Sequence, residues 1–304
     1  MGIARRTLVV NVTVSQWSGR KLDKAASDEV AASKGSKAGR ARLNKLLIRK
    51  EALTPVQAAA RAIRDYVAEN SVPWGDGGER AILAANYLDF TQRLGELIRE
   101  FKDEANQLAD DYTKEVERAR FELNALFNPD DYPSEDYVRK AFDVKVGVRP
   151  MVTGENLIVD DLDESMLADI RQQVEQDLAE TESDAMKGVW QSIIGMVEEM
   201  RDRMAAEKPR FRRALIDNFV DLTERLSRLN VAGDPELDRL REELRRSLTG
   251  YSADELRKDA DTRKEFVTEA DRILAGFVTV SQNEHGQDDV GGLPTPAGVS
   301  PAGT

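Results

Sequence analysis

Two stretches carry the same apolar repeat, and each has to bury a long stripe against something. From Phe90 to Phe127, apolar residues recur at steps of four, three and four: Phe90, Leu94, Leu97, Phe101, Ala105, Leu108, Tyr112, Val116, Ala119, Leu123 and Phe127. The same step runs from Leu167 through Ile170, Val174, Leu178, Thr181, Ala185, Val189, Ser192 and Met196 to Met200. An 11-residue period corresponds to about 3.67 residues per turn, close to an unstrained helix, so both segments should be long, nearly straight helices. The economical way to cover two matching stripes is to lay one on the other as an antiparallel arm. The expected register sets Tyr112 near Leu178, Ala105 near Ala185 and Phe101 near Val189.

The segments before and between the stripes predict a small α+β base. Thr7 to Val14 alternates, with Leu8, Val10, Val12 and Val14 on one face, and Phe142, Val144, Val146 and Val148 alternate in the same way. A lone two-stranded ribbon is marginal in water, so these two strands are expected to pair. Leu157 to Val159 is a candidate third strand. Helices are expected from Arg20 to about Ala32 and from Pro55 to Glu69. The break at Val72–Gly78 is read as a turn that launches the first long helix at about Glu79. Its glycines lack the Gly-Lys-Ser/Thr ending of a phosphate loop and the spaced oxygen ligands of a calcium loop.

The expected fold is therefore mainly α, a long antiparallel helical hairpin on an α+β base followed by C-terminal helices. Residues 1–78 with 128–161 form the base, 79–127 and 162–207 the arm, and 208–280 the C-terminal helices. Lys208-Pro209 is expected to kink the second long helix, with Phe211 and Leu222 keeping its phase. Gly233-Asp234-Pro235 restarts a helix, and Ser252 with Glu255 forms a capping box for another that runs to about Phe277. Residues 281–304 are polar, Gly- and Pro-rich and aperiodic, the composition of a disordered tail.

Charge is uneven. Residues 1–50 hold twelve Lys/Arg and three Asp/Glu, so a chain of net charge −12 has a +9 head and a −21 remainder. Arg20, Lys21, Lys24, Lys34, Lys37, Arg40, Arg42 and Lys45 are the candidate contacts to an anion or partner. Their target is a nucleic acid or other anion, a partner, or the acidic helices of this chain or of a second copy. Trp17 is the only aromatic residue of the first fifty, which leaves little for base stacking.

Catalytic chemistry finds few footholds. There is no cysteine, and the one histidine, His285, lies in the tail. Histidine- or cysteine-based metal sites and serine–histidine pairs are therefore excluded. Asp160, Asp161, Asp163 and Glu164 cluster where the second long helix begins, where capping and the helix dipole favour carboxylates without any metal. No enzyme activity, cofactor or metal is expected. No apolar run approaches the roughly 18 residues of a membrane span, and the first residues carry no apolar signal core, so a cytoplasmic protein is expected.

Several strings resemble an uncharacterised family of phage and prophage proteins. These are Val14-Ser-Gln-Trp-Ser-Gly-Arg-Lys-Leu-Asp-Lys24, Val72-Pro-Trp74, Ala85-Asn-Tyr87 and Leu126-Phe-Asn-Pro-Asp-Asp-Tyr-Pro133. The resemblance covers about residues 7 to 230 and carries no catalytic residue, the family being a domain of unknown function. Genes of that family often lie near those of MoxR-type AAA+ ATPases and von Willebrand A-domain proteins. The resemblance thus implies a helper or adaptor in the cytoplasm of the host cell, with one of those proteins as partner. Nucleic-acid association through the basic head is the alternative, and self-association through the stripes is open.

Overall fold

The computed structural model describes residues 2–157, 159, 162–206 and 213–283, which group into two compact units. The first comprises residues 1–185 with 231–233, and the second 186–230 with 234–304.

The first unit is built on β1 (Thr7–Ser15). It pairs antiparallel with β6 (Asp143–Pro150) from Leu8↔Pro150 to Ser15↔Asp143, so the two alternating segments meet as their patterns require. On its other side β1 pairs with β5 (Glu79–Leu83), which forms a hairpin with β4 (Val72–Trp74). The sheet order is β4-β5-β1-β6. A separate ribbon joins β2 (Arg20–Asp23) and β3 (Leu43–Leu46), with α1 (Lys24–Ser33) between them.

Two expected boundaries move for one reason. Strands of three to five residues are too short to show a period, so Arg20–Asp23 and Glu79–Leu83 looked like the starts of the helices that follow. Gly75-Asp76-Gly77-Gly78 is the hairpin turn between β4 and β5, with Gly75 and Gly78 at positive φ. The long helix, α3 (Tyr87–Leu123), begins after it and spans about 55 Å at 1.5 Å per residue. It ends at Asn124, whose φ of 46° asparagine tolerates better than most residues. The helix before the hairpin, α2 (Lys50–Glu69), starts a turn earlier than expected and carries Pro55 within it.

Within the first unit the stripe of α3 is buried by α2 and the sheet, and residues 167–185 of the second stripe take no part in that core. Phe90, Leu94, Leu97, Phe101, Ala105, Leu108 and Tyr112 form one core with Val56, Ala60, Ile63 and Val67 of α2, Val10 of β1 and Ile82 of β5. Val138 of α4 (Glu135–Ala141) and Phe142 close it. The antiparallel hairpin is α2 on α3, with Tyr66 stacked on Phe90 at one end and Arg49 on Glu115 at the other. The expected seam of Ala105 with Ala185 and Tyr112 with Leu178 is corrected accordingly. A stripe specifies that a face is buried and leaves its partner open, and α2 with the sheet supplies a shorter connection.

The second long helix, α5 (Glu164–Ala205), begins in the first unit and continues into the second. In the first unit Ile170 stays exposed. In the second, Met186, Val189, Trp190, Ile193, Val197, Met200 and Met204 are buried, a shorter period than the expected face through Ser192 and Met196. They belong to a helical core with α6 (Arg213–Leu229), α7 (Pro235–Ser247), α8 (Ala253–Lys258) and α9 (Ala260–Asn283). Trp190 stacks on Phe277 with centroids 6.1 Å apart, and Tyr251 meets the fully buried Phe266 edge-on at 5.5 Å. Asp234 caps α7 and also accepts the Trp190 Nε1–H bond at 2.9 Å. Asn230 brackets the same residue, accepting from its N–H at 2.7 Å and donating to its carbonyl at 2.8 Å. The Ser252–Glu255 capping box forms as expected, although the helix it starts breaks at Asp259 before α9. The expected kink at Lys208-Pro209, Phe211, Ile158 of the candidate third strand and the tail beyond residue 283 lie outside the described residues, and Leu157 and Val159 are not in a strand.

Candidate functional site

The basic head folds as the β2–α1–β3 module. Asp23 ends β2 and caps α1, its Oδ1 accepting from the Ala26 N–H at 3.0 Å. Ser27 Oγ donates to the Asp23 carbonyl and accepts from the Leu43 N–H at 2.9 Å, which ties the returning strand to the helix. The loop between them turns at Gly35 and Gly39, both at positive φ. Trp17 anchors the module's entry on α3, edge-on to Tyr112 with centroids 5.7 Å apart.

Inside the module one of the eight expected contact residues is buried. Lys45 has a side chain only 5% exposed, with Nζ 2.5 Å from Asp131 Oδ2, 3.1 Å from Asp23 Oδ2 and 2.8 Å from the Leu126 carbonyl. Lys21 sits on the other Asp131 oxygen at 2.8 Å. Burial pulls the Lys45 pKa down, but its bonds to Asp131 and Asp23 outweigh that and leave it raised. Asp131 is held below the usual carboxylate range because Lys21 and Lys45 overcome its own desolvation. Asp23 is lowered first by the Ala26 N–H and then by Lys45. Asp131 lies in the loop after α3, so this network fastens the module to the end of the long helix. Sequence reasoning missed it because a lysine within a short strand shows no sign of a carboxylate far along the chain.

Arg20, Lys24, Lys34, Lys37, Arg40 and Arg42 remain. All six are exposed, and among the described residues none of their side chains makes an ion pair or hydrogen bond. Two apolar residues of the same module, Leu22 on β2 and Val30 on α1, are 38% and 42% exposed. The structure thus divides the eight cations into two that hold the fold and six that are exposed in a module which also exposes Leu22 and Val30.

A second clamp lies along α3. Glu115 is buried and takes Arg49 through both oxygens, Nε to Oε2 at 3.0 Å and Nη2 to Oε1 at 2.6 Å, with Arg118 Nη1 at 2.9 Å. The Arg49 bond lowers the Glu115 carboxyl despite its burial. With every charge paired, this is a joint between α2 and α3 and offers no free acid or base.

A cleft of about 900 Å³ opens where Ile3–Arg5 and Thr153–Glu155 approach Arg171–Glu182 of α5. Glu175 Oε1 accepts from the Gly154 N–H at 2.7 Å, and a Cβ on Gly154 would come within 2.8 Å of the Arg171 carbonyl. Burial pushes the Glu182 carboxyl up, and Arg171 Nε is buried without a partner. These groups could position a polar molecule, but they include no nucleophile paired with a base. At the start of α5, Asp163 caps the helix through the Met166 N–H at 2.9 Å and Glu164 pairs with Arg171 at 3.1 Å, while Asp160 and Asp161 lie outside the described residues. Among the described residues no group of three or more His, Asp or Glu side chains is arranged to hold a metal ion, and no helix is long and apolar enough to cross a membrane.

Comparison with protein-family models, with curated proteins and with solved structures finds no match to this chain.

Proposed function

We propose that the chain is a non-catalytic helical scaffold or adaptor that engages an acidic protein surface through its β2–α1–β3 module. The observation that carries this reading is that six cations, unpaired among the described residues, are exposed in the same module as the exposed apolar residues Leu22 and Val30. A polyanion needs charge alone, whereas a protein surface also rewards apolar contact at the centre of a charged rim. Residues 20–45 hold eight Lys/Arg and three Asp/Glu, so this +5 module belongs to a chain whose remainder is −17. That remainder repels a long nucleic acid but tolerates a local acidic patch. Trp17, the one aromatic residue of the head, packs edge-on against Tyr112, which leaves the module without an aromatic platform of its own for base stacking. The resemblance to the phage family suggests a MoxR-type AAA+ ATPase, or a von Willebrand A-domain protein, as the partner.

The test compares the wild type with a variant carrying Lys34→Glu, Lys37→Glu, Arg40→Glu and Arg42→Glu, titrated against a purified MoxR-type ATPase and against duplex DNA at several salt concentrations. All four side chains are exposed, so the variant should melt like the wild type. Saturable ATPase binding that the variant loses supports the proposal. DNA affinity that falls steeply with salt and disappears in the variant, with no ATPase binding, would replace it by the nucleic-acid reading.

A further inference from the structure

β6 is an edge strand, paired with β1 along one side and, among the described residues, with no strand along the other. Every residue from Lys145 to Pro150 is exposed. Val146 and Val148 are 41% and 40% exposed although they stand opposite Val12 and the buried Val10. The helix layer that covers β1 stops short of this edge. A strand of eight residues with its outer N–H and C=O groups open is a template for another strand.

We propose that this edge pairs with the same edge of a second copy, joining two four-stranded sheets into one of eight strands. The sequence of β6 discriminates among the three registers centred on Lys145, Val146 and Gly147, in the middle of the strand. Two identical antiparallel strands related by a twofold axis set residues of the same face opposite one another. Centring the pair on Lys145 places two lysines face to face, and centring it on Gly147 places Lys145 opposite Arg149. Centring it on Val146 places Asp143 opposite Arg149, Val144 opposite Val148, Val146 opposite itself and Lys145 opposite Gly147. Only the last has no like-charge pair, and it gains an Asp–Arg pair at both ends. Arg149 already holds Glu79 of its own chain through Nε and Nη2, which leaves Nη1 for the partner's Asp143. In the other two registers Lys145 is the guard charge of an edge strand, so the same residue excludes wrong pairings and permits this one. Edge pairing alone buries less than the roughly 1,200 Å² of a standard interface, so the association is weak and concentration-dependent.

The chain contains no cysteine, so a single introduced thiol reports this contact cleanly. Val146→Cys places its sulfur on the twofold axis, where directly opposed Cβ atoms come within reach of a disulfide. Val148→Cys faces Val144 of the second copy and has no thiol opposite. Under mild oxidation of the full chain, Val146→Cys should cross-link several-fold faster than Val148→Cys. Sedimentation of the wild type over a concentration series should show a dimer that Val146→Lys abolishes, with melting unchanged because Val146 is exposed in the monomer. A wild type that stays monomeric throughout overturns the proposal. So does equal cross-linking of the two cysteine variants, or a Val146→Lys chain that dimerises as well as the wild type.

Discussion

Removing the Lys45 side chain leaves Asp23 and Asp131 without the cation that holds them together, while Lys21 still covers one oxygen of Asp131. Breaking a buried pair at one partner is costly, and Lys45→Ala should lower stability by about 3 kcal/mol in chemical denaturation. Lys21→Ala removes a half-exposed partner of the same aspartate and should cost less than about 1 kcal/mol. The pH dependence follows from the directions of the shifts. Both aspartates are lowered on folding, so their contribution is present above the ordinary carboxylate range of about 3.9 and is lost as pH falls through their folded values. Lys45 is raised, so its contribution is complete at neutral pH and is lost only as pH rises through its folded value. Lys45→Ala should therefore flatten the acid limb of the stability profile. An unchanged acid limb would mean that the network does not hold the module. In the second unit Glu269 is lowered to about 2, chiefly by Arg272, which also reaches Glu243 of α7.

At the scale of elements, the α3 stripe decides most of the first unit. Ala105 is buried within it, and Ala105→Leu should overpack the layer shared with α2, costing about 1–3 kcal/mol. Phe121 on the same helix is 83% exposed, and Phe121→Ala should change stability by less than about 0.5 kcal/mol. Equal effects at the two positions would sink this assignment of faces. Within the chain and among the described residues β1 is the only strand that β6 pairs with, so deleting residues 1–16 should release residues 143–150 of the monomer to rapid hydrogen exchange. The α3 stripe was legible because 37 residues carry its 11-residue period about three times over, through about ten helical turns. The pairing of β1 with β6 was legible because both alternate over at least eight residues. The partner of the stripe was not, since Val56, Ala60, Ile63 and Val67 of α2 form a shorter face that sequence reading placed in the base. Arg20–Asp23 was hidden because three of its four residues are charged, so no apolar alternation marks the strand. The outward cations of the candidate site were legible as a count of charge. The inward Lys45 was not, because its burial depends on Asp131, which only the fold brings to it.

At the scale of the whole molecule, the boundary between the units falls within α5, between Ala185 and Met186, where the sequence shows no break. A continuous helix conceals such a boundary because its backbone does not break there; what changes is which of its residues are buried, and that depends on the partners each unit supplies. Each unit has its own core: Phe101 and Ile63 are fully buried in the first, Phe219 and Phe266 in the second. Each unit also has its own fluorophores, Trp17 and Trp74 in the first and Trp190 in the second. Phe266→Ala should cost about 3–5 kcal/mol of the second unit's stability. At 1.4 kcal/mol per tenfold, the exchange of its slowest amides should accelerate by at least about a hundredfold. Amides of β1 and β6 should keep their protection, and Trp190 emission should shift at lower denaturant than the emission of Trp17 and Trp74. Phe101→Ala should reverse the pattern, exposing β1 and β6 while amides of α7 and α9 stay protected. If instead either substitution accelerates exchange by the same factor in both units, the chain opens as one cooperative body and stability does not divide at α5.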